Sequence, residues 1–497
     1  MCWVNSTIPA SKYTVTIFLK SVVTFRSLCL ILVIADLAFS LYQHLQMPLD
    51  GDMAGIILPS AWYSRVLEDP FGISVWNEGA SYAATNRFFV HFAMSGYFKS
   101  MPFLLQYCCD PINSIYWTAA IFKTIVQAGM IGLLSLLIGQ VVNTRKDFWL
   151  IALLITPLFQ TFGYNIMMGI IEKSITYTFF YAFPCCLLLL AIYLFYNVIN
   201  STPPKQTRYF VYPVLILLLV MLPFSGPLIP AMGILLSGLL IGKEWYKSFQ
   251  YETGSRFTPI ISAFRKIPAR YIAITMFCGA LSSYSVWIGW SNIENGVPAV
   301  NLFTRYQRLP AGLFELLTTK IGFPLLLLLI GINLWIIQKR KDHPDRQKIM
   351  SVGKMLGLFI ILYLLILPLG GYREYRPLII RRDTFLPVTI SLVFMYAMTT
   401  YWLLRHLSVQ HKYLYPGLVA AILLNFTLVD FPVKTENECE KTGLYSIASS
   451  GETIVPLAMD CTILAWENIT DSKDAETNAL MLQYWGITKE KKLYFQK

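Results

Sequence analysis

Apolar runs of about twenty residues, separated by short charged stretches, recur along most of the chain. Eleven of them approach or reach the length of a membrane helix, at roughly 25–45, 113–141, 148–164, 174–198, 209–223, 226–242, 271–290, 319–338, 351–369, 385–404 and 413–429. The runs within 209–242 are short and are broken by Pro223, Gly226, Pro227 and Pro230, which reads as a hairpin at the outer surface. The pattern predicts an all-α polytopic membrane protein with about eleven transmembrane helices. The first run is too long for a signal-peptide core and lacks a small-residue cleavage site, so it reads as a retained helix.

Two stretches depart from this pattern. The loop from 46 to 111 is rich in Trp, Phe, Tyr and Met. Met53, Ile56, Ile57, Ala61 and Trp62 predict a short amphipathic helix within it. From Arg87 onward, Arg87, His91, Ser95 and Lys99 recur every four residues among Phe88, Phe89, Phe92, Phe98, Phe103 and Leu104. One polar stripe on an aromatic helix predicts an element lying in the membrane interface. The tail, 430–497, predicts a small α+β domain with strands at Thr453–Leu457 and Cys461–Trp466 and a helix at Asp474–Tyr484. The membrane domain is therefore 1–429 and the tail domain 430–497.

Composition agrees: the chain is 56% hydrophobic and 14% charged, where a soluble protein carries about a quarter charged residues. The net charge of +12 reads as topology and not as nucleic-acid binding. With the N-terminus inside, the inner segments hold 21 of the 40 basic residues, including Arg145, Lys146, Lys205, Arg208, Lys243, Lys247, Lys339, Arg340, Arg405 and Lys412. An odd helix count then places the C-terminus and the loop 46–111 outside. Cys439 and Cys461 lie in the tail and are able to pair if it is outside the cytoplasm.

Asp50-Gly51-Asp52 leaves the first apolar run as a pair of carboxylates around a glycine. One reading makes either acid a general base, or the pair oxygen ligands for a divalent ion. The other makes it a turn with Asp52 at the N-terminus of the next helix. Asp69, in Glu68-Asp69-Pro70-Phe71-Gly72, reads as a turn residue or a second acid of the site. Arg87, His91 and Lys99 suit a headgroup phosphate, or snorkelling to anionic lipid. The outer segment 370–384 breaks the positive-inside pattern with Arg373, Arg376, Arg381 and Arg382. Arginine binds phosphate bidentately, and these four are the main phosphate candidates; the alternative is salt bridging to Glu374, Asp383 and the acidic tail. Asp36, inside the first helix, requires a partner there. No P-loop, dinucleotide turn, HExxH or GxSxG is present, so an inner nucleotide site has no support.

An acid shortly after the first helix, an interfacial first outer loop, an inner N-terminus and a closing outer domain together resemble the GT-C superfamily of polytopic membrane glycosyltransferases, in a bacterial branch. The resemblance covers most of residues 25–429, mainly as topology. It implies an enzyme of the bacterial inner membrane that takes a sugar from a polyprenyl-(pyro)phosphate carrier at the extracytoplasmic face. The acceptor is the hydroxyl of a glycan, lipid or other molecule. It implies Asp52 or Asp50 as base, the arginines of 370–384 with Arg87 and Lys99 on the leaving phosphate, and a divalent cation, Mg or Mn, as a possible cofactor. The competing class is a transporter or lipid-linked glycan flippase with Asp36 at a midplane site among helices broken at Pro157, Pro184, Pro223 and Pro230. A surface-polysaccharide polymerase or ligase shares the phosphate logic.

Overall fold

A computed structural model of the protein describes residues 11–159, 168–200, 205–250, 258–295, 300–340, 343–370, 372, 377–407, 413–430 and 436–496. In chain order the helices are α1 (Ser11–Leu45), α2 (Met53–Ile57), α3 (Ser64–Glu68), α4 (Ile73–Glu78), α5 (Phe88–Leu105), α6 (Pro111–Val141), α7 (Phe148–Ile155), α8 (Ile175–Tyr177) and α9 (Phe183–Asn200). They continue with α10 (Lys205–Met221), α11 (Ile229–Phe249), α12 (Thr258–Arg265), α13 (Ala269–Gly289), α14 (Leu302–Thr318), α15 (Gly322–Lys339), α16 (Asp345–Ile366), α17 (Arg382–His406) and α18 (Leu414–Val429). The tail adds α19 (Glu438–Ser449), β1 (Ile454–Leu457), α20 (Glu476–Tyr484) and β2 (Leu493–Gln496).

Each of the eleven apolar runs contains a helix. Among the described residues seven helical segments are long and apolar enough to cross a membrane: Thr24–Leu45, Pro111–Val141, Ile175–Ile199, Ala269–Gly289, Gly322–Lys339, Asp345–Leu369 and Arg382–His406. Phe148–Leu158, Tyr209–Phe224 and Leu414–Val429 are apolar but shorter. This is a helical membrane protein.

Local chemistry starts and stops these helices. Asp110 caps α6, accepting from the Ile112 and Asn113 amides, and Pro111 fills the first helical position, where no amide hydrogen is needed. α17 has Asp383 in its first turn and Arg405 and His406 in its last, complementing the helix dipole. It is the central helix, with 94% of its most apolar stretch buried. Two of its threonine hydroxyls are met inside the bundle: Asn333 donates to Thr399 (3.1 Å) and Thr400 (3.0 Å), and Tyr415 donates to Asn333 (2.9 Å). Between α8 and α9 the chain makes a π-helical turn, Thr178–Ala182. Such turns re-aim side chains and concentrate at functional sites.

Among the described residues three apolar clusters form, the smallest joining Val66, Val75 and Tyr82 to Phe224 and Ile288, and the other two divide most of the molecule. The larger runs through the bundle and includes Met130, Leu134, Ile155, Leu326, Val393 and Met398. The smaller is built jointly by the first loop and the tail: Met53, Ile57, Met94 and Phe98 pack with Leu444, Leu482, Trp485 and Tyr494. The tail is therefore docked on the loop through shared side chains. Hydrogen bonds join the same parts, from the Trp485 indole to the Phe98 carbonyl (3.0 Å) and from Asn437 to the Leu45 carbonyl (2.7 Å).

In the tail, β1 pairs in parallel with β2, with Ile454 opposite Leu493. The segment 461–466, expected as a strand, is a bent loop in which Leu464 takes a φ of 49°. Its carbonyls are claimed sideways instead: Gln496 donates to the Met459 and Cys461 carbonyls, and Asn478 to that of Leu464. Cys439 and Cys461 are joined by a disulfide.

Candidate functional site

The turn after α1 separates its two acids. Asp50 is 3% exposed. Its carboxylate accepts from the Ser174 hydroxyl (2.7 Å), the Thr176 hydroxyl (2.7 Å), the Thr176 amide (3.0 Å) and the Asp52 amide (3.2 Å). Both oxygens are thereby used to fix the loop on the start of α8. Asp52 stands at the N-terminal end of α2, yet its side chain makes no capping bond there. It lines a cavity of about 660 Å³, within the size usual for ligand sites. Gly51 lies between the acids because the tail touches it: a Cβ there would come 2.7 Å from the Trp466 amide nitrogen. The glycine thus serves close approach of the tail, and the two acids part company instead of facing one site together.

One wall of the cavity comes from the first loop and the loop after α13. Arg87 pairs with Glu294 at 3.1 Å, Tyr63 donates to the same carboxylate at 3.1 Å, and Asn292 also donates to it at 3.3 Å. Burial, then the charges of Glu294 and Asp52, push the Tyr63 hydroxyl above its ordinary value, so it remains a donor. His91 is 2% exposed, with its ring 5.3 Å from that of Tyr63 and 4.9 Å from that of Phe180. Burial and the neighbouring Arg87 charge push its imidazole down to about 3. It is neutral at physiological pH, a wall residue held by ring contacts and with little affinity for a proton.

The opposite wall comes from the start of α17 and the turn before it. Arg381 lines the cavity with Tyr372, Thr384 and Tyr363, and pairs with Asp383 at 3.2 Å. Its neighbour Arg382 points away, buried in an ion pair with Glu172 and donating to the Ile171 carbonyl at 3.0 Å. Arg381 is the N-cap, with extended backbone (φ −133°, ψ 160°), whereas Arg382 is the first residue of α17. That change of backbone puts one guanidinium in the cavity and the other in the bundle. Tyr177, Phe180 and Tyr181, carried by α8 and the π-helical turn, bridge the two walls. Leu228, Ala231, Ile234, Leu235, Val286 and Ile366 continue the cavity as an apolar lobe between α11, α13 and α16.

The remaining sequence candidates lie elsewhere. Asp69 holds the turn into α4, accepting from the Ile73 amide (2.7 Å), the Ser74 amide (2.9 Å), the Ser74 hydroxyl and the Tyr82 hydroxyl (3.0 Å). Burial raises its carboxyl, but these bonds outweigh it and leave the carboxyl below its usual range. Lys99 is half-buried, three turns along α5 from Arg87, where its carbonyl accepts from Tyr484 (3.4 Å); it does not line the cavity. Arg373 and Arg376 lie outside the described residues. Among the described residues no three His, Cys, Asp or Glu side chains gather in the manner of a metal site. Of the two acids offered for a cation, Asp50 is committed to Ser174 and Thr176.

Glu294 escaped the sequence reading, although a signal existed. It is the sole acid between Glu252 and Glu315, in a short polar loop with Trp290, Asn292 and Asn295. Tyr63, Tyr177 and Tyr181 carried no signal, because tyrosine is frequent throughout this chain. No protein-family model, curated protein or solved structure matches the chain.

Proposed function

We propose that the protein is a membrane glycosyltransferase that moves a sugar from a polyprenyl-phosphate carrier to an acceptor hydroxyl at the extracytoplasmic face of a bacterial inner membrane. The observation that carries this reading is that Asp52 and Arg381, over 300 residues apart in the chain, line one cavity. A carboxylate, two guanidiniums, several phenols and an apolar lobe are what a sugar joined through phosphate to a lipid chain requires. In this reading the N-terminus is inside, eleven helices cross, and the tail is outside. The lysines and arginines of the inner loops and the Cys439–Cys461 disulfide, a bond of oxidising compartments, support that orientation.

The transfer is a single displacement with inversion. The acceptor oxygen attacks the anomeric carbon while Asp52 takes its proton. The bond from that carbon to the phosphate oxygen breaks, and the electron pair leaves with the lipid phosphate. Arg381 and Arg87 face the developing negative charge; preorganised cations at such a position are worth several kcal/mol. Glu294 holds Arg87, and Asp383 holds Arg381, so neither guanidinium needs to reorganise. No step is routed through a metal ion. The competing transporter or flippase reading has less support: the cavity beside Asp36 and Asp430 is about 10 Å³, room for one water.

The test is release of undecaprenyl phosphate from a panel of undecaprenyl-phosphate-linked hexoses and pentoses by the full-length protein in lipid nanodiscs. Asp52→Asn is expected to lower release by about 100-fold or more, the scale of a general base, without loss of donor binding. Wild-type turnover by Asp52→Asn overturns the base assignment. Failure of the wild type to release carrier from any donor, with transport lost in Asp36→Asn, overturns the enzyme reading.

A further inference from the structure

The loop 461–466 is unusual for the effort that holds it. Leu464 has a φ of 49°, a conformation a bulky L-residue rarely adopts and keeps only where its surroundings compel it. Its amide donates to Glu440 (3.0 Å) and its carbonyl accepts from Asn478 (3.1 Å). The preceding Ile463 carbonyl accepts from the Tyr494 hydroxyl (2.8 Å). Cys461, at the start of the loop, is bonded to Cys439 in the helix that carries Glu440.

What this scaffold presents is an indole. Trp466 is 52% exposed, directly over Gly51, between the buried Asp50 and the cavity-lining Asp52. Its ring centroid lies 5.6 Å from that of Tyr177, which in turn lies 5.7 Å from that of Tyr181. Both tyrosines line the cavity. A file of three aromatic rings therefore runs from the exposed surface into the cavity that Asp52 also lines.

We propose that Trp466, with Tyr177, is the binding platform for a carbohydrate acceptor. Axial C–H groups of a pyranose carry partial positive charge and pack on the negative face of an aromatic ring, while its hydroxyls stay wet at the edge. The position of the platform determines what it binds: a sugar stacked there offers a hydroxyl toward Asp52. A lipid surface is the other class of partner for an exposed indole. The residues after Trp466 disfavour it, because Glu467, Asn468 and Thr470 are exposed and polar, whereas Ile463, Leu464 and Ile469 are buried. Interfacial anchors sit among apolar and cationic neighbours. The proposal rests on the glycosyl-transfer reading for what happens to the bound sugar, but the binding itself is measurable without turnover.

The experiment uses the full-length protein in nanodiscs and saturation-transfer NMR with maltohexaose, cellohexaose, chitohexaose and mannohexaose. At least one is expected to receive saturation at its ring protons. Trp466→Ala is expected to abolish the signal and Trp466→Phe to restore part of it. With donor and acceptor present, Trp466→Ala is expected to raise the acceptor KM of carrier release about tenfold. No binding of any of the four by the wild type, or equal binding by Trp466→Ala, overturns the proposal. So does quenching, by lipids brominated on their tails, of the fluorescence that Trp466→Phe removes. Carrier release that ignores Trp466 sinks the platform alone. Trp466-dependent sugar binding without any carrier release sinks the transferase reading and leaves the platform standing.

Discussion

In the helical bundle, α17 buries its Val393, Met398 and Trp402 in a core shared with Met130, Leu134, Ile155 and Leu326, and that core is overwhelmingly apolar. In the layer made by the first loop and the tail, the contacts that decide geometry are hydrogen bonds between residues nearly 400 positions apart. Glu440 shows this best. It is 1% exposed and accepts from the Leu49 amide (2.9 Å), the Tyr116 hydroxyl (2.7 Å) and the Leu464 amide (3.0 Å). One carboxylate thereby ties the tail helix to the residue before Asp50, to α6 and to the loop that presents Trp466. Apolar burial is non-directional and makes helices associate. Directed bonds choose which way a particular carboxylate points, and in this protein they are concentrated where Asp50 and Asp52 diverge.

The comparison is broken most severely by removing the anchor of the shared core. Trp485 is fully buried, so Trp485→Ala is expected to cost roughly 3–5 kcal/mol. Hydrogen exchange should show the tail and α5 losing protection together while α17 keeps its own. Loss confined to the tail would mean that the layer is two units. The adjacent arginines offer the next contrast. Arg382→Ala removes the buried guanidinium that faces Glu172 and is expected to cost up to about 3 kcal/mol of stability by denaturant titration. Arg381→Ala removes a partner of the buried Asp383 and should also lower the midpoint, but it alone of the two should abolish carrier release.

Acidity separates the two regions further. Burial pushes the Glu440 carboxyl up to about 7; its hydrogen bonds to Leu464, Leu49 and Tyr116 oppose the rise and the Asp50 charge adds to it. Because the folded value is raised, its contribution to stability is fully present below the unfolded value and is lost as pH rises through about 7. Docking of the tail should therefore weaken by on the order of 2–3 kcal/mol from pH 5 to pH 8, read from proteolytic release of the tail, and Glu440→Gln should flatten that slope. The smallest expected effect is at Gly51. Gly51→Ala pushes the Trp466 segment away at a cost of about 1–2 kcal/mol. It should raise acceptor KM as Trp466→Ala does; an unchanged KM would separate the turn from the platform.

Much of this was present in the sequence because it depends on composition over many residues. The apolar runs reappear as helices, the aromatic stretch after Arg87 as α5, and Thr453–Leu457 and Asp474–Tyr484 as tail elements close to their expected bounds. The sequence offered Cys439 and Cys461 as a pair only on condition that the tail is outside, and the structure joins them. Asp50-Gly51-Asp52 marked the right turn but not which acid faces the cavity, since that depends on Ser174 and Thr176 more than 120 residues away. Arg381 and Arg382 are alike in sequence, and only the place where α17 starts, between them, sends one to the cavity and the other to Glu172. Glu294, the bent loop at Leu464 and the place of Trp466 beside Tyr177 belong wholly to the tertiary structure. Local pattern determines which segments leave water, because transfer free energy adds up along the chain. The direction of a single polar side chain is set by the few partners that folding brings to it, and those partners are distant in sequence.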